Sequence, residues 1–317
     1  MNKVRWGILG YARIARLNAI PAMLRAGNAE LVAIASRDAN KLAECAVQFP
    51  LARLHLTYDA LLADPDVDAV YVPLPNSKHR EWTIAALQAG KHVLCEKPIA
   101  LTARQARDMA AAAKDANRLL MEAFMYRYTD RMQRVREVIE SGVLGSLRHV
   151  NASFRFLLDR ENTIKEEPGL GGGALYDVGC YPVNLLGLIT GKLPNRCQAF
   201  AEMKSGVDVN LSAVLQYGDG MIANIHCGFN AFGHMHAELI GTLGRLEVRD
   251  TFLDAAGEIV LHTKEGKRSI PVAESDRYCA EFRDFSAAIL EGRAPLLSIE
   301  ESIRNMEVMD MIRESLK

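Results

Sequence analysis

The chain has 317 residues, of which 49 % are apolar and 24 % are charged, as in an ordinary globular protein of about two domains. Lys plus Arg (38) nearly cancels Asp plus Glu (39), so no basic surplus is available to bind a nucleic-acid backbone. No run of about eighteen uncharged apolar residues is present, which argues against a membrane span.

Cysteine usage and the amino end both indicate the cellular compartment. The six cysteines are scattered and form no Cys-x-x-Cys pair, which argues against a zinc site and a disulfide framework and fits a reducing environment. These cysteines are Cys45, Cys95, Cys180, Cys197, Cys227 and Cys279. The amino end, MNKVRWGILG, enters a strand pattern at once and lacks the apolar region of a secretory signal. We therefore expect a cytoplasmic protein.

Short apolar runs alternate with helical patterns up to about residue 125. The predicted strands are Val4–Gly10, Leu31–Ser36, Val67–Pro73, His92–Glu96 and Arg118–Phe124. The predicted helices are Arg13–Ala26, Ala39–Phe49, Lys78–Ala89 and Thr102–Ala116. Asp38 and Thr102 are suitable helix N-caps, and Pro21 should kink or shorten the first helix. Alternation of this kind predicts βαβ units and a parallel sheet with right-handed crossovers.

Strands dominate after about residue 125, following one helix at Thr129–Ser141. The strand patterns are SLRHVNASFRF, LSAVLQY, MIANIHCGF, HMHAELIGT, RLEVRD and EIVLHT. Two helices, Ser275–Glu291 and Ser298–Ser315, close the chain. We predict an α/β protein with a Rossmann-type, doubly wound parallel sheet over 1–124. An α+β domain with a largely antiparallel open sheet is predicted over 125–317.

The segment GILGYARIARL follows the first strand and opens the first helix. Against the pattern Gly-x-Gly-x-x-Gly its three positions are Gly10, Ala12 and Ala15, so only the first glycine is present. A strand-to-helix turn that uses small residues for packing is the alternative. Because the first such turn of a βαβ domain is where phosphates meet a helix N-terminus, we predict a dinucleotide here.

The end of the second strand bears on which dinucleotide is bound. NAD-binding chains usually place Asp or Glu there to hold the ribose hydroxyls, whereas this chain has Ser36 and Arg37, with Lys41 further on. A serine and two cations suit a 2′-phosphate, so NADP is favoured over NAD. The alternative is that Arg37 and Lys41 are solvated surface charges.

The segment HVLCEKPIA places a carboxylate, an ammonium and a proline at the end of a buried strand. By strand order, Cys95–Pro98 lies at the carboxyl edge of the sheet, where open α/β folds bind ligands. This position predicts that Lys97 lies beside the reactive end of the dinucleotide, although ordinary turn chemistry would also explain Lys-Pro.

The segment LGGGALYDVGCYPVNLLGLITG predicts a mostly apolar helix with a flexible entry at Gly171–Gly173. Asp177 and Tyr181 are four residues apart and share one face, where two polar groups need partners or a polar cleft. Pro182 should kink the helix beside them. The alternative is that Asp177 caps the helix and Tyr181 is a core tyrosine.

With both segments considered, the chain resembles the Gfo/Idh/MocA oxidoreductase family, named for glucose-fructose oxidoreductase and inositol dehydrogenase. The likeness covers nearly the whole length and rests on WGILGYARIA, VPLPNSKHREWTIAALQAGKHVLCEKPIALT, AFMYRY and GGGALYDVGCYPVN. Ala12 in place of a glycine resembles the sugar and dihydrodiol dehydrogenase branch. Tyr181 stands where inositol-type members carry histidine, which puts inositol in doubt and resembles the glucose-fructose oxidoreductase branch.

The resemblance implies a role for each site residue. The residues implied in cofactor binding are Gly10, Tyr11, Ala12, Arg13 and Ile14 at the pyrophosphate, Ser36, Arg37 and Lys41 at the 2′-phosphate, Leu74, Asn76, His79 and Glu96 at the nicotinamide, and also Tyr58 and Lys97. Lys97, Asp177 and Tyr181 would face the substrate. The family also implies a cis Lys97–Pro98 bond, against a base rate of about 5–6 % for such bonds.

The activity implied is hydride transfer between nicotinamide C4 and a secondary alcohol or carbonyl of a sugar, ketosugar or cyclic diol. Tyr181 is the first choice for proton transfer and Lys97 the alternative, with Asp177 orienting the substrate hydroxyl or the lysine. A non-catalytic dinucleotide or sugar sensor and an NAD-retaining glycosidase are the rival functions. By resemblance we also expect a homodimer or higher homo-oligomer through the C-terminal sheet.

Some further residues are candidates for the substrate pocket, with packing or surface roles as the alternative. They are Arg127, Phe154, Arg155 and Phe156. His234 and His236 face the same side of a predicted strand, but no third ligand lies near them in sequence, so they are interpreted as ordinary strand residues and no metal is expected.

Overall fold

The computed structural model of the protein describes residues 2–50, 52–160 and 163–316. Its contacts define two compact units, one of Met1–Met125 with Tyr278–Ser302 and one of Tyr126–Arg277 with Ile303–Lys317. The predicted division into domains 1–124 and 125–317 stays a prediction. Among the residues described, no helix has both the length and the apolar character needed to cross a bilayer.

The first unit is built on a six-stranded sheet in which every pair of neighbouring strands is parallel. Its strands are β1 (Val4–Leu9), β2 (Ala29–Ala35), β3 (Arg53–His55), β4 (Ala69–Val72), β5 (His92–Glu96) and β6 (Leu120–Ala123). The spatial order is β3-β2-β1-β4-β5-β6, which is the doubly wound order predicted from the alternation of elements. The order reverses between β1 and β4, so the crevice where such sheets bind ligands opens at their carboxyl ends.

Helices alternate with these strands along the chain. They are α1 (Ile20–Arg25), α2 (Ala39–Gln48), α3 (Tyr58–Leu62), α4 (His79–Gln88) and α5 (Ala103–Asp115). Asp38 and Thr102 accept hydrogen bonds from the first turns of α2 and α5, so both predicted N-caps are confirmed. The sequence patterns missed β3 and α3, because three and five residues are too few for a period to be recognised.

The first predicted helix is divided at Pro21. A π-helical turn over Ala15–Ala19 precedes α1, in which Pro21 occupies the first turn. Because proline has no N–H and its ring collides with the carbonyl four residues earlier, a regular α-helix cannot continue through it. The wider π turn accommodates this break directly after the predicted phosphate loop.

The second unit contains an eight-stranded sheet in the order β14-β13-β12-β11-β7-β10-β9-β8. This unit also contains the helices α6 (Asp130–Glu140) and α7 (Cys180–Thr190). Its strands are β7 (Leu147–Leu157), β8 (Arg196–Lys204), β9 (Val207–Gln216), β10 (Ile222–Gly228), β11 (Asn230–Gly241), β12 (Gly244–Arg249), β13 (Gly257–Thr263) and β14 (Gly266–Val272). β7 and β10 pair in parallel and the other neighbours are antiparallel, as the predicted largely antiparallel open sheet requires.

The two strands missed in this sheet, β8 and β14, are its edges. Both carry mostly exposed side chains, and β14 includes Pro271. Edge strands are often charged or contain proline, which blocks unwanted pairing with other chains. Because of this composition, the two strands lack the alternation of apolar residues from which a strand is predicted.

Two further helices, α8 (Arg277–Glu291) and α9 (Ile299–Ser315), were predicted at the end of the chain and are confirmed. From Tyr278 onward α8 belongs to the first unit, where Phe282 packs edge-on against Trp6 with ring centroids 5.1 Å apart. The indole Nε1 of the buried Trp6 donates a hydrogen bond of 3.1 Å to Ser286 Oγ. A segment from the far end of the chain therefore completes the core of the six-stranded sheet.

Candidate active site

Three separate segments meet at the carboxyl end of β1. Gly10 follows this strand with φ = +101°, and a Cβ there would lie 2.8 Å from Leu74 Cδ2 and 3.4 Å from the Tyr58 hydroxyl. Side chains rarely adopt that backbone angle, and a Cβ there would also crowd the Leu74 side chain. The structure thus brings together three predicted cofactor residues and explains why the first glycine of the motif is the one retained.

The loop after Gly10 is anchored through Tyr11. This side chain is buried, its hydroxyl donates a hydrogen bond of 2.5 Å to Gln48 Oε1, and its ring packs edge-on against Phe49 at 6.4 Å. Burial raises the pKa of Tyr11 to about 12, so the phenol stays neutral at physiological pH. Arg13 is exposed, while Ala12 and Ile14 are half-buried. Tyr11 therefore holds the loop against α2, which leaves the backbone of this loop as the part suited to a phosphate.

Two exposed cations lie near the carboxyl end of β2. Arg37 and Lys41 are both exposed, and the guanidinium of Arg37 stacks 5.5 Å from the centroid of the Tyr58 ring. Tyr58 is itself held edge-on by Trp82, with centroids 4.8 Å apart. Ser36 is buried, and its hydroxyl accepts a hydrogen bond of 3.2 Å from the Asp38 amide. Aromatic stacking thus orients Arg37 at the edge where the 2′-phosphate was predicted.

The turn that carries Lys97 is tied to its neighbours by His79. The Lys97–Pro98 bond is cis, as the family resemblance implied. The imidazole of His79 is fully buried, with Nδ1 2.8 Å from the Pro98 carbonyl oxygen and Nε2 2.8 Å from that of Leu74. Two carbonyl acceptors favour the doubly protonated ring, but burial is the larger influence and lowers the pKa of His79. His79 therefore joins the loops that follow β4 and β5, and its direct contact with cofactor stays a prediction.

A second anchor of this turn, Glu122, was not found from the sequence. Glu122 lies on β6 with 1 % of its surface exposed, and its Oε1 accepts a hydrogen bond of 2.8 Å from the Ile99 amide. Burial raises the pKa of Glu122 to about 7. The signal available was a single carboxylate in the apolar run LLMEAF, because such a group must find a partner when buried.

The other residues predicted near the nicotinamide, Glu96, Asn76 and Lys97, lie in the segments that follow β4 and β5 or end β5. The buried Tyr71 donates a hydrogen bond to the carboxylate of Glu96, and burial raises the pKa of Tyr71 well above its usual range. Asn76 begins a short 3-10 turn, Asn76–Lys78, that leads into α4. Lys97 is half-buried.

In the second unit, Asp177 lies in a π-helical turn, Leu175–Gly179, that leads into α7. Pro182, in the first turn of α7, was expected to kink the helix, and the π-helical turn lies directly before α7. Asp177 does not cap the helix: the Leu175 amide donates a hydrogen bond of 2.7 Å to Asp208 Oδ2 on β9, and Asp177 instead forms an ion pair with Lys165. Neither Asp208 nor Lys165 was identified from the sequence.

The glycine run before this turn provides close packing, and its predicted flexibility stays a prediction. A Cβ on Gly172 would lie 2.6 Å from the Lys165 carbonyl oxygen and 2.9 Å from the Glu167 amide nitrogen. A Cβ on Gly173, where φ is +117°, would collide with Asp208 Oδ1. Both positions require glycine because other backbone and polar atoms occupy the space of a side chain.

Tyr181 is 4 % exposed and its ring belongs to an aromatic cluster. The ring centroids of Phe154, Phe252 and Tyr126 lie 5.1, 5.4 and 5.7 Å from that of Tyr181. Tyr126 is fixed in turn by a hydrogen bond of 2.6 Å to Asn184 Oδ1. Packing is therefore one role of Tyr181, as the alternative proposed, and such a ring has little freedom to rotate.

The other candidate pocket residues make contacts within the second unit. Arg127 is buried and donates to Asn184 Oδ1 at 3.4 Å, and Arg155 donates to Asn210 Oδ1 at 2.9 Å. Phe156 packs against Phe229, with ring centroids 5.3 Å apart. Phe154, described above, stacks on the aromatic cluster. Arg155 lies on the opposite sheet face from Phe154, because neighbouring residues of a strand point to opposite sides.

His234 and His236 lie on one side of β11, with ring centroids 5.7 Å apart. Nδ1 of His234 is hydrogen-bonded to Ser153 Oγ at 2.8 Å, and both histidines line a polar cavity of about 490 Å³ with His226 and Arg155. Within the ranges that the structure describes, no group of three or more His, Cys, Asp or Glu side chains is arranged to hold a metal ion.

Lys97 belongs to the first unit, and Asp177 and Tyr181 belong to the second. Their convergence on one nicotinamide ring stays a prediction. Each group has a defined local support: His79 and Glu122 hold the turn of Lys97, Lys165 pairs with Asp177, and the aromatic cluster fixes Tyr181.

Known protein families match both parts of the chain. Residues 4–124 match the model of an oxidoreductase family with an NAD-binding Rossmann fold, and residues 132–247 match a Gfo/Idh/MocA C-terminal domain. The chain is 37 % identical to D-xylose 1-dehydrogenase (NADP(+)) 2 of Haloferax volcanii, over 98 % of this chain and 96 % of that protein. It is 33 % identical to dTDP-3,4-didehydro-2,6-dideoxy-alpha-D-glucose 3-reductase of Actinomadura kijaniata, over 98 % and 95 %.

Solved structures extend the similarity to three dimensions. The 3-ketoreductase KijD10 of Actinomadura kijaniata, in complex with NADP and TDP-benzene, superposes with a TM-score of 0.93 at 32 % identity, over 99 % of this chain and 98 % of that one. The aldose-aldose oxidoreductase of Caulobacter crescentus, complexed with glycerol, superposes with a TM-score of 0.92 at 26 % identity, over 99 % and 98 %. The chain belongs to the Gfo/Idh/MocA family of oxidoreductases.

Proposed function

We propose that the protein transfers a hydride between C4 of NADP and a secondary alcohol or carbonyl of a sugar, ketosugar or cyclic diol. The observation that carries this proposal is the turn of Lys97, in which His79 holds the carbonyl of Pro98 and Glu122 holds the amide of Ile99. Two buried polar side chains hold this one turn at the carboxyl edge of the sheet. Such support is expected where a side chain, here Lys97, must be held in one position for a reaction. The relatives named above act on sugar-type substrates, which supports this substrate class.

NADP as the cofactor is supported by the fit of the first unit to a phosphorylated dinucleotide. Gly10 provides a cradle that a Cβ would fill, and Arg37, stacked on Tyr58, presents a planar guanidinium beside Ser36 and near Lys41. Arginine suits a phosphate because its fork donates two parallel hydrogen bonds. When bound, the nicotinamide supplies the hydride acceptor and donor.

The protein must hold the reacting carbon and move the hydroxyl proton. Tyr181 is the first candidate for the proton transfer, since its ring is fixed by Phe154 and Phe252. Lys97 is the alternative, as a base or as the ammonium that favours the phenolate. Asp177 would accept a hydrogen bond from the substrate hydroxyl or from Lys97 and so orient one of them.

The direct test follows the absorbance of NADPH and NADH against a panel of sugars, ketosugars and diols. We expect turnover with NADPH, and a loss of about 10²-fold or more in K97M, in line with the usual contribution of acid–base groups. Near-normal turnover in a folded K97M variant would contradict the role of Lys97. No turnover with any substrate would favour the non-catalytic sensor, and a nicotinamide absorbance band in the purified protein would favour the NAD-retaining glycosidase.

A homodimer or higher homo-oligomer through the eight-stranded sheet is also part of the proposal. Phe200, Val214 and Ile222 are exposed on β8, β9 and β10, and their strand registers place them on one face. Monomers rarely leave such apolar groups together in water. Sedimentation of the wild type and of F200E should show a dimer for the first and a smaller species for the second; a monomeric wild type would refute it. A cytoplasmic location is proposed because the six cysteines are scattered along the sequence and form no Cys-x-x-Cys pair.

A further inference from the structure

The ion pair between Lys165 and Asp177 is partly shielded from solvent. The Lys165 ammonium contacts Asp177 Oδ2, and the two side chains are 25 % and 19 % exposed. A fully exposed ion pair would contribute little to stability, because water and salt screen the charges. Partial burial strengthens the attraction, so the pair can restrict the orientation of the carboxylate.

Two aromatic rings hold the same ammonium. Lys165 Nζ lies 5.2 Å from the ring centroid of Phe156 and 5.9 Å from that of Phe229. Both distances are within the range at which a cation is attracted to the face of a ring. The lysine head group is therefore fixed by three contacts, and a flexible surface lysine would not show this arrangement.

The backbone joins Lys165 to the helix that carries Asp177. The Lys165 carbonyl oxygen accepts a hydrogen bond of 2.8 Å from the Gly173 amide, and the Gly173 carbonyl accepts one of 3.0 Å from the Asp177 amide. The close approach of Gly172 to Lys165 and Glu167 strengthens this junction. Lys165 and Asp177 thus belong to one local scaffold.

We infer that Lys165 is a positioning residue, which holds the Asp177 carboxylate in the orientation that the substrate or Lys97 requires. This inference rests on the proposed function, in which Asp177 orients a reacting group. A displacement of about 1 Å in such a group can reduce turnover by about 10²-fold. Lys165 itself contacts no reacting atom in this account and acts through Asp177.

The experiment compares K165M, K165R and the double variant K165M/D177N with the single variant D177N. We expect kcat to fall by about 10- to 100-fold in K165M, with a smaller change in KM, because orientation is lost more than binding. K165R keeps the positive charge and should recover most of the loss. In the D177N background, K165M should have little further effect, because the carboxylate it acts on is gone.

A matched control is K192M, since Lys192 forms an exposed ion pair of 2.9 Å with Asp219 in the same unit. This variant should keep normal kinetics. The dissociation constant of NADPH, measured by fluorescence, should be the same in wild type and K165M, because the predicted cofactor residues lie in the other unit.

The possible outcomes distinguish a failure of the positioning role of Lys165 from a failure of the proposed function. The positioning role alone would be overturned if K165M turned over substrate as fast as the wild type. It would also be overturned if K165M caused the same loss of turnover in the wild-type and D177N backgrounds. A wild type that binds NADPH but turns over no member of the panel would overturn the proposed function and this inference with it.

Discussion

His79 and Pro98 are joined by a hydrogen bond of 2.8 Å between the imidazole Nδ1 and a backbone carbonyl oxygen. The other ring nitrogen faces the carbonyl of Leu74 at the same distance. One side chain on α4 therefore holds together the loops that follow two neighbouring strands of the parallel sheet. This arrangement makes the turn of Lys97 dependent on a residue that has no need to contact substrate.

Replacing His79 by alanine should therefore reduce both stability and turnover. A neutral imidazole donates to only one carbonyl oxygen, so the variant leaves one carbonyl group without its donor, at a cost of about 1–3 kcal/mol. Urea denaturation should show the lower free energy of unfolding, and kcat should fall because Lys97 is less well placed. R80A is the control on the same helix, since Arg80 forms an exposed ion pair with Asp108. Equal effects of the two variants would contradict this role of His79.

Glu122 should make stability depend on pH. Its pKa is raised from 4.5 in the unfolded chain to about 7 in the folded protein, so the folded state binds the proton more tightly. Glu122 makes its full contribution to the free energy of unfolding below about pH 4.5. This contribution is lost as the pH rises towards 7. Above that pH, E122Q should be more stable than wild type by up to about 3 kcal/mol relative to their difference at pH 4.5.

Chemical denaturation of wild type and E122Q between pH 4.5 and 8 measures this difference. Glutamine keeps an oxygen that can accept from the Ile99 amide, so the variant removes the charge and keeps the contact. E140Q replaces an exposed glutamate and should change stability by less than about 0.5 kcal/mol. A pH-independent difference between E122Q and wild type would refute a charged, buried Glu122.

Arg37 should decide the preference for NADP. Removing one guanidinium–phosphate interaction costs about 1.5–3 kcal/mol, which corresponds to roughly a ten- to hundredfold weaker affinity for NADPH in R37A. The affinity for NADH should change little, since it lacks the 2′-phosphate. Fluorescence titration with both cofactors measures the ratio, and an equal loss for both would indicate a structural role for Arg37. R104A, which changes an exposed arginine of α5, shows how far a lost surface charge alone contributes.

Gly172 and Gly187 provide a matched pair of glycine substitutions in the second unit. G172A would place a methyl group 2.6 Å from a backbone oxygen and should destabilise the protein by about 1–3 kcal/mol. Gly187 lies within α7, and a methyl group there would meet no atom outside its own helix within 4 Å, so G187A should stabilise by about 0.5–1 kcal/mol. Thermal unfolding of the two variants should therefore shift in opposite directions. A shift of the same sign would show that space is not what requires glycine at Gly172.

Local patterns in the sequence were sufficient for much of the fold. The apolar runs of β1, β4 and β5 and the caps Asp38 and Thr102 depend on neighbours two to four residues away, which are visible in the sequence itself. The cis bond before Pro98 followed from a family motif and not from local physics. The short β3 and the polar edge strand β14 were missed because their residues show no period.

The supports of the candidate site were decided by tertiary structure. Glu122 and Ile99 are 23 positions apart, and Asp208 and Leu175 are 33 apart, so nothing in the spacing of the chain links them. Lys165 lies 12 residues before Asp177 and reaches it through an irregular segment. The sequence determined which side chains are available and which elements carry them. The partner of each buried charge was decided only by folding, because a charged group removed from water takes whichever opposite charge or hydrogen-bond partner the packed chain places beside it.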